Sequence, residues 1–594
     1  MTVSDVQSMP SAQLPELARN VRGKILRSVS ENGGHLAASL GTVELTIALL
    51  RTFNPPEDKI LWDVGHQAYA WKILTGRGDA FETLRRHRGV SGFPNPSESE
   101  YDAFIAGHAG SALAAATGMA AGRDRLGGGH VIAVVGDASL TNGESLEALN
   151  NCASLAGRLI VVLNDNAMAI SRNVGGIAHM LGRLLSSVRY NRVKAAAERM
   201  GHKMRLTFLR SLYHHMEQVV KSFWLKNSLF ETLGLRYVGP VDGHDIDALS
   251  SALMVAKEDK RPVLIHVVTT KGKGFAPAER NPTAWHGVGP FDMDSALLGE
   301  MSKSGQSGSR KTWSDVFGDA LVEIARRDDR VCAVVAAMKD GTGLAKFAKE
   351  FPGRFFDVGI CEEMAVTFAA GLAKAGMKPV VAIYSTFLQR SIDQIQHDVC
   401  LQNLPIVFAV DRAGCVGADG FTHHGMYDIA LLKPLSGMTV LAPTCAEELR
   451  DSLAAALTSS SPVAIRYPRG TAPLKDEIGC PAAEGSAEVR VLAVGDQVPK
   501  ALKVKELLAS DGITVEVVPV MKVKPADVRK SGRGLLVSIE NGVVCGGYGE
   551  SVGADVKFGW PDVAVGHGTV DELEREHGFS AEDMASAIRQ RLIG

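Results

Sequence analysis

The sequence lacks a long apolar run, an export signal and any marked excess of charge. No apolar stretch in its 594 residues approaches the ~20 needed to span a membrane, and residues 1–10 lack a basic segment followed by an apolar one. A formal net charge of −2 creates no overall field that would attract nucleic acid or an anionic membrane. We therefore expect a soluble protein that binds neither nucleic acid nor membranes.

Paired cysteines are also missing. The spacing of the eight cysteines matches neither a zinc site nor a disulfide framework. They are Cys152, Cys332, Cys361, Cys400, Cys415, Cys445, Cys480 and Cys545. A reducing compartment suits such a set, and we expect a cytoplasmic location.

Length and composition indicate several domains. A chain of 594 residues that is 45% hydrophobic and 22% charged exceeds the size of one ordinary domain. The Ser/Gly-rich stretch MSKSGQSGSRK at 301–311 is typical of a linker, and GCPAAEG at 479–485 is a second break. These breaks predict three domains, at 1–300, 312–478 and 486–594.

Polar groups follow two predicted neighbouring strands. The apolar runs at 131–135 and 159–163 flank a helical pattern at 144–156, which together predict a strand-helix-strand crossover with parallel strands. Asp137 and Asn166 follow the two strands, so their oxygens should cluster at one sheet edge, where Mg²⁺ and a phosphate could bind. Asp and Asn also cap helices and form turns, so the pattern alone leaves both interpretations open.

A second strand-helix-strand pattern occurs further along the chain. Predicted strands at 380–384 and 406–410 flank a predicted helix around 388–401, and a further strand, VRVLAVG, begins at 489. We expect two related α/β domains in tandem, followed by a third, smaller α/β domain.

Motifs spread over nearly the whole chain resemble those of one family. They include GHLAASLGTVELTIALL, WDVGHQAYAWKILTGR, YVGPVDGHD, TKGKGFAPAE, AVTFAAGLAKAGMKPVVAIYSTFLQRSIDQ, DRAGCVGADGFTHHG and RYPRG. The segment from 131 to 171 resembles the diphosphate-binding signature of thiamine-diphosphate enzymes, and the ordered set resembles the 1-deoxy-D-xylulose-5-phosphate synthase family. This resemblance implies three tandem α/β domains with mainly parallel sheets and a transketolase-like thiamine-diphosphate-binding fold.

The resemblance also implies an activity. The expected cofactors are thiamine diphosphate and Mg²⁺, and the expected reaction is the decarboxylating condensation of pyruvate with glyceraldehyde 3-phosphate, the first step of the non-mevalonate isoprenoid pathway. A homodimer is expected, with each site between the first and second domains of one chain. Two alternatives stay open: a paralogous carboligase or transketolase with a different donor or acceptor, and a catalytically silent partner subunit.

Four residues are the catalytic candidates. Glu362 matches the family glutamate that exchanges a proton with the pyrimidine nitrogen of the cofactor, a task that needs a carboxyl group in a largely apolar pocket. His35, His66 and His286 match histidines near the reacting centre, where imidazole can transfer protons near neutral pH.

Further residues are assigned by the resemblance to the cofactor and its metal. Asp137, Asn166 and the carbonyl group of Met168 are the expected magnesium ligands. Lys271 could approach the diphosphate or lie on an exposed loop. The expected cofactor-binding residues are His66, Gly107, His108, Ala109, Ala138, Ser139, Asn166, Ile170, Phe275, Glu362 and Phe387.

The acceptor substrate carries a phosphate, for which arginine side chains are suited. Arg469 is the alternative to Arg466 within the RYPRG motif. The expected substrate-binding residues are Tyr384, Arg390, Arg412, Asp419, His423 and Arg466.

The chain departs from the family pattern near these residues. Ala138 replaces a glycine, Glu363 and Met364 replace a glutamine and a histidine, and His424 replaces a glutamine. The stretch at 222–229 also lacks the usual proline-glycine signal. We expect these departures to bear on substrate identity more than on cofactor use.

Overall fold

The structure is a computed structural model that describes residues 2–166, 175–177, 180, 229–298, 310–478, 487–526 and 534–593. We refer to 2–298 as the first region, 310–478 as the second and 487–593 as the third. Most of the expected linker at 301–311 and the whole break at 479–485 lie outside the described residues.

The first region contains a parallel five-stranded sheet in the order β2-β3-β4-β6-β5 and a small antiparallel pair, β1-β7. Its strands are β1 Gly34–His35, β2 Lys59–Trp62, β3 Val131–Gly136, β4 Leu159–Asp165, β5 Arg236–Asp242, β6 Val263–Val268 and β7 Gly287–Val288. Its α-helices are Val3–Ser8, Leu14–Asn32, Leu36–Gly41, Val43–Thr52, Tyr69–Lys72, Ser111–Leu126, Gly143–Leu155, Leu229–Thr232, Ile246–Glu258, Ala276–Arg280 and Met293–Leu298.

The second region is built on a sheet in the order β12-β13-β11-β10-β8-β9, and all five pairings within it are parallel. Its strands are β8 Val331–Val335, β9 Phe355–Asp357, β10 Lys378–Tyr384, β11 Val407–Asp411, β12 Thr439–Leu441 and β13 Val463–Arg466. Its α-helices are Trp313–Ala325, Ala345–Glu350, Glu362–Lys374, Ser385–Leu388, Ile392–Gln394, Asp428–Leu432, Ala446–Ala456 and Lys475–Ile478.

The third region contains a parallel four-stranded sheet in the order β15-β14-β17-β18, while its strand β16 pairs antiparallel with β12 and so extends the second sheet. Its strands are β14 Val489–Val494, β15 Val515–Val520, β16 Lys522–Lys524, β17 Leu535–Val543 and β18 Val556–Trp560. Its α-helices are Val498–Ala509, Tyr548–Ser551, Val570–Glu576 and Ala581–Ile593.

The crossover predicted in the first region is present. The strands β3 and β4 are parallel neighbours, joined through the helix Gly143–Leu155. The side chain of Asn142 begins this helix by accepting a hydrogen bond from the backbone N–H of Glu144, which satisfies one of its free N-terminal donors. The carboxyl ends of β3 and β4 therefore lie side by side.

The apolar strands are buried on both faces, as expected for parallel sheets covered by helices. Along β3, Ile132 and Val134 pack in one hydrophobic cluster, while Ala133 and Val135 pack in another on the opposite face. The alternation follows from the two-residue repeat of a strand. These buried strands hold the loops at the sheet edges in fixed positions.

The helix expected around 388–401 is not one regular helix. The segment is a succession of short helical turns, Ser385–Leu388, Gln389–Ser391, Ile392–Gln394 and Ile395–Cys400. The backbone leaves helical geometry at Ser391, where φ is −115° and ψ is 16°. No helix within the described ranges is long and apolar enough to cross a membrane.

The second and third regions share a hydrophobic core. Leu492, Val494 and Val520 of the third region pack in the same cluster as Val440 and Ala442 of the second. Together with the β12-β16 pairing, this packing makes the two regions contiguous. Loops of the second region are consequently supported from the third.

Candidate functional site

Three polar residues follow neighbouring strands at the carboxyl edge of the first sheet. Asp63, Asp137 and Asn166 come directly after β2, β3 and β4. Asp137 is buried, and its backbone N–H donates to the carbonyl oxygen of Asn164 (3.2 Å). The Oδ1 atom of Asn166 is buried with no hydrogen-bond partner in the described part of the chain. An unsatisfied buried oxygen at this edge is suited to a ligand from outside the protein.

A second layer supports this edge. Thr269 Oγ1 donates to Asn164 Oδ1 (2.6 Å), and the ring of His266 joins Asp165 Oδ2 (2.8 Å) to the Tyr237 hydroxyl (2.7 Å). Because these groups lie on β4, β5 and β6 or just after them, the sheet itself holds the strand ends in place.

Asp63 was not among the predicted site residues. Its carboxylate accepts hydrogen bonds from the backbone N–H groups of Gly110 (3.0 Å) and Ala112 (3.1 Å). Burial raises the pKa of this carboxyl group above its usual value, while those hydrogen bonds oppose the shift. Asp63 thus holds the loop at 107–110, and its position directly after a strand is the same signal that identified Asp137.

The loop at 107–110 approaches the second region closely. Gly107 has a φ of 155°, and a Cβ atom there would lie only 2.5 Å from the side chain of Thr422. The neighbouring His108 places Nε2 2.8 Å from the carbonyl oxygen of Thr422 and 3.1 Å from Thr386 Oγ1. The predicted residues Gly107, His108 and Ala109 therefore lie at the boundary between the first and second regions.

Three predicted histidines form a partly buried cluster. The ring centroids of His35, His66 and His286 lie 5.1–5.8 Å apart. The β1-β7 pair creates part of this arrangement, because it aligns His35 with Gly287, directly after His286. Each ring has a buried Nδ1 atom without a hydrogen-bond partner among the described residues.

Burial sets the charge of these rings. It lowers the pKa of His35 to about 4 and lowers the pKa values of His66 and His286 well below their usual value. The three imidazoles are therefore neutral near pH 7 and can accept or donate a hydrogen bond at the unpaired nitrogen.

Aromatic rings continue the histidine cluster towards the second region, and we refer to the histidines and these rings together as the chamber. Phe387 lies 5.0 Å from the ring of His108 and 5.8 Å from those of Tyr384 and His423. Phe93, which was not predicted, stacks on His423 (4.6 Å, 15°) and lies 5.4 Å from His35. Phe93 thus joins the histidine cluster to the rings of the second region, and no sequence motif identified it.

Glu362 begins the helix Glu362–Lys374 and is almost fully buried. Its Oε2 atom has no hydrogen-bond partner within the described ranges. Desolvation raises the pKa of this carboxyl group to about 7, although the charge of Arg390 opposes the shift. The side chain can consequently gain and lose a proton near neutral pH.

Arg390 joins the two regions beside Glu362. Its Nη1 donates to the carbonyl oxygen of Ala109, and its Nη2 donates to Asn142 Oδ1 (3.2 Å). Both partners belong to the first region. This arginine therefore has a bridging role in the structure.

The other arginines divide into two groups. Arg412 lies over the ring of Tyr384 (4.0 Å), and Arg469 lies 3.9 Å from Asp419. Arg466 instead is buried between the second and third regions, where it pairs with Asp428 (2.7 Å) and donates to the carbonyl oxygen of Asn541 (2.8 Å). Of the two arginines in the RYPRG motif, Arg469 reaches the chamber and Arg466 does not.

Asp419 has a second arginine partner that was not predicted. Arg85 Nη1 lies 2.6 Å from Asp419 Oδ1, and the charges of Arg85 and Arg469 help to hold the pKa of Asp419 below its usual value despite burial. The ionised carboxylate lies among more cationic than anionic groups. The pocket is therefore suited to an anionic ligand.

The remaining predicted residues vary in their placement. Phe275 packs in the core against Trp285 (5.1 Å) and Phe291 (6.3 Å). Lys271 is buried rather than on an exposed loop, and burial lowers its pKa to about 8 against the effect of Asp137. Ser139 is buried and lies three residues after the end of β3.

Met168 and Ile170 lie outside the described residues. The predicted metal set contains one carboxylate, one amide oxygen and one carbonyl group. Within the described ranges, no group of three or more His, Cys, Asp or Glu side chains is placed to hold a metal ion.

The four residues that depart from the family pattern lie in different surroundings. Met364 is 54% exposed, and Glu363 lies 3.9 Å from Arg390 at the surface of the helix. Ala138 has φ −69° and ψ −40°, a conformation open to any residue, so its methyl group needs no strained backbone. His424 is buried and bonds to the third region through the carbonyl oxygen of Gly566 (2.9 Å).

Comparison with known proteins assigns the chain to a family. The model of 1-deoxy-D-xylulose-5-phosphate synthase matches residues 1–269, that of the transketolase pyrimidine-binding domain matches 309–475, and that of the transketolase C-terminal domain matches 482–584. These matches, with the mainly parallel sheets, confirm the predicted fold class.

Curated relatives match almost the whole chain. A 1-deoxy-D-xylulose-5-phosphate synthase from Aquifex aeolicus is 46% identical over 99% of this chain and 97% of its own length. A protein named 1-deoxy-D-xylulose-5-phosphate synthase 2, from Geobacter sulfurreducens, has the same identity and coverage. The likeness to a solved Campylobacter jejuni transketolase is weak, with 17% identity and a TM-score of 0.44 over 98% of this chain and 100% of that chain.

Proposed function

The chain belongs to the 1-deoxy-D-xylulose-5-phosphate synthase family of thiamine-diphosphate-dependent, transketolase-type transferases, and we propose that its site lies between the first and second regions of one chain. The reaction joins pyruvate to glyceraldehyde 3-phosphate. Pyruvate loses its carboxylate as CO₂, the carbonyl carbon of the remaining two-carbon unit forms one new bond to the aldehyde carbon, and the aldehyde oxygen takes up a proton. The product is 1-deoxy-D-xylulose 5-phosphate.

The observation that carries this proposal is the buried carboxyl group of Glu362, whose Oε2 atom has no hydrogen-bond partner among the described residues. Its pKa of about 7 suits a group that must exchange a proton with a ring nitrogen of the cofactor. Burial at the end of a helix without a partner is costly for a carboxyl group that has only a structural role. Bound thiamine diphosphate supplies the electron sink for decarboxylation and for carbon-carbon bond formation.

The carboxyl edge of the first sheet fits the diphosphate and its metal. Asp137 supplies a carboxylate and Asn166 an unsatisfied amide oxygen, and Mg²⁺ prefers such oxygen ligands together with phosphate oxygens. We assign the third protein ligand to the carbonyl group of Met168. The buried cation of Lys271 beside this edge supports the binding of a negatively charged diphosphate.

The neutral histidines are suited to proton transfer at the substrate oxygens. His35, His66 and His286 each have a buried Nδ1 atom with no hydrogen-bond partner among the described residues, and their rings lie close together. A neutral imidazole can accept a proton from a substrate hydroxyl group or stabilise a carbonyl oxygen by hydrogen bonding. We assign the aromatic contact with the cofactor to Phe387.

The acceptor phosphate is assigned to Arg412 and Arg469. Both lie beside Tyr384 and Asp419 at the second-region side of the chamber. The carboxylate of Asp419 and the imidazole of His423 are suited to bind the acceptor hydroxyl groups. Arg390 takes a positioning role, because its guanidinium is already bonded to Ala109 and Asn142.

Identification of the product by mass tests the function. Incubation with pyruvate, glyceraldehyde 3-phosphate, thiamine diphosphate and Mg²⁺ should yield a five-carbon deoxyketose phosphate and one CO₂ per turnover. Replacing pyruvate with a ketose phosphate donor should yield no transfer. Transfer from the ketose donor, or the absence of the five-carbon product, would contradict the proposed reaction.

We also propose a cytoplasmic homodimer. The seven described cysteines are all free thiols, which suits a reducing compartment. Met364 (54% exposed) and Leu401 (65% exposed) give the second region apolar surface that a second copy of the chain could cover. Light scattering should give twice the 63.2 kDa mass of the chain.

A further inference from the structure

A short segment of the third region touches loops from both other regions. This segment, residues 565–568, follows β18 and precedes the helix Val570–Glu576. It contacts the loop at 414–424 of the second region and the loop at 85–89 of the first. We call these the Asp419 loop and the Arg85 loop, after the ion pair that joins them.

The contact with the Asp419 loop is polar and close. His424 accepts a hydrogen bond at Nδ1 from the backbone N–H of Val416 (3.2 Å) and donates from Nε2 to the carbonyl oxygen of Gly566 (2.9 Å). A Cβ atom on Gly417 would lie 2.8 Å from the carbonyl oxygen of Gly568. The two backbones therefore meet with no room for a side chain between them.

The contact with the Arg85 loop involves a second histidine. His567 Nε2 donates to the carbonyl oxygen of Gly89 (3.1 Å), and Gly568 packs against His87. The following helix adds Glu576, whose carboxylate lies 2.9 Å from His87 and 3.1 Å from Arg88. The third region thus holds the Arg85 loop at both its backbone and its side chains.

The Arg85 loop needs such support. Arg85 has a φ of 64° and Arg88 a φ of 56°, a left-handed conformation that is unfavourable for residues other than glycine. Such residues persist where the surrounding structure holds them. Residues 84–90 form no helix or strand, and apart from the bond of Arg86 to Asn32 and a few internal backbone bonds, contacts from the third region help to hold their conformation.

Both loops contribute side chains to the part of the chamber beside Asp419, where the acceptor is proposed to bind. The Arg85–Asp419 pair is 2.6 Å long, and each side chain is largely buried. His423 belongs to the Asp419 loop, and Phe93, on which it stacks, follows the Arg85 loop closely in sequence. A shift of either loop would therefore change the distance between groups that face the substrate.

We propose that the 565–568 segment is a positioning element for acceptor binding, with His567 as its positioning residue. His567 joins the Arg85 loop to the third region, while the adjacent Gly566 and Gly568 join the third region to the Asp419 loop. This inference rests on the proposed function, because it assigns the acceptor to the pocket beside Asp419. No residue of the third region then needs to touch the substrate for that region to affect the reaction.

The test compares three single variants of the full-length enzyme. His567→Ala should raise the KM for glyceraldehyde 3-phosphate about tenfold, with the KM for pyruvate and the affinity for thiamine diphosphate unchanged within twofold. His567→Gln should restore the acceptor KM to within about threefold of wild type, because its side-chain amide can donate to Gly89. His577→Ala, which removes a third-region histidine packed against Trp560, is the matched control and should leave the acceptor KM unchanged.

Hydrogen exchange of the two loops gives a readout that does not depend on the reaction. Peptides covering 84–90 and 414–425 should exchange faster in His567→Ala than in wild type, and at the wild-type rate in His577→Ala. If His567→Ala fails to fold, Glu576→Gln tests the other contact of the third region with the Arg85 loop, to His87 and Arg88, and should raise the acceptor KM two- to threefold.

The outcomes separate this inference from the proposed function. Unchanged exchange and an unchanged acceptor KM in His567→Ala would overturn the positioning role, as would an equal rise in the KM values for both substrates. Wild-type enzyme that forms no five-carbon product would overturn the proposed function. Faster exchange of both loops would support the positioning role even then.

Discussion

The first and second regions have the same architecture but present opposite chemistry at the carboxyl edges of their parallel sheets. In the first region the strands end at oxygen-bearing groups, Asp63, Asp137 and Asn166. In the second, β10 ends at Tyr384 and β11 is followed by Arg412, whose guanidinium lies over that ring. One edge is suited to a cation and the other to an anion, although both are built from the same repeating unit.

The difference shows how two sheets of the same type can bind chemically different parts of the reacting complex. A parallel sheet fixes where the strand ends lie, while the residue after each strand decides what the edge can bind. Glu362 is buried and the three histidines are partly buried, and we place them between the two edges. Substitutions at the first edge should therefore impair cofactor binding, whereas substitutions at the second edge should impair acceptor binding.

The largest effect is expected at the cation-binding edge. Asp137→Ala should abolish magnesium-dependent binding of thiamine diphosphate, because the metal loses its only charged protein ligand in the proposed set. Calorimetry in the presence of Mg²⁺ measures this directly. Glu147→Ala, an exposed carboxylate on the crossover helix of the same region, is the control and should bind the cofactor normally. Unchanged affinity in Asp137→Ala would refute the metal assignment.

Glu362→Gln should reduce turnover on the order of a hundredfold to ten-thousandfold, the usual contribution of a positioned acid or base. The amide keeps the size of the side chain but cannot exchange the proton, while cofactor binding should persist because the first edge is intact. Turnover and hydrogen-deuterium exchange at C2 of the cofactor measure the loss. The neighbouring Glu363→Gln changes a partly exposed side chain and should stay near wild type. A near-wild-type rate in Glu362→Gln would remove the catalytic role.

The same substitution should change how stability depends on pH. Burial raises the pKa of Glu362 from 4.5 to about 7 in the folded protein. The free energy of unfolding of the wild-type protein therefore decreases as pH rises between these values, because the folded state binds this proton more tightly than the unfolded state. Without cofactor, Glu362→Gln should therefore gain stability relative to wild type across that interval, by up to about 3 kcal/mol above pH 7. Denaturant unfolding at pH 5 and pH 8 measures the difference. A constant difference at both pH values would contradict the raised pKa.

A smaller effect is expected at the anion-binding edge. Arg469→Ala should raise the KM for glyceraldehyde 3-phosphate about ten- to hundredfold, the value of a charged hydrogen bond, with little change in cofactor binding. Steady-state kinetics with both substrates varied measures this.

Arg466→Ala is the matched control from the same motif. It breaks the buried pair with Asp428 and should lower stability by about 3–5 kcal/mol. Folded Arg466→Ala enzyme should keep the acceptor KM, whereas a raised KM with unchanged stability would restore Arg466 to the substrate site.

The smallest effect is expected for Ala138→Gly, which restores the family residue. Since Ala138 already has an ordinary right-handed backbone, turnover and cofactor affinity should stay within about twofold of wild type. Gly107→Ala provides the contrast, because its new Cβ atom would lie 2.5 Å from Thr422 and force the two regions apart. Equal effects of the two substitutions would show that the methyl group of Ala138 constrains the site.

Much of this protein could be predicted from its sequence. The alternation of apolar strands and helices predicted parallel crossovers, and the β3-β4 pair confirms one of them. Glu362, Asp137 and the histidines were found because they lie in motifs that are contiguous in the sequence. Local patterns of this kind reflect the backbone geometry of one strand or turn, which depends mainly on nearby residues.

The tertiary structure decided which side chains share one chamber. Arg466 and Arg469 lie three residues apart, yet the fold buries one against Asp428 and brings the other to Asp419. Phe93, Arg85 and His567 have no local signal, and their importance comes from partners that are hundreds of residues away in the chain. A side chain's charge state, exposure and partners are set by the packing of all three regions, because burial and pairing are properties of the assembled core rather than of any short segment.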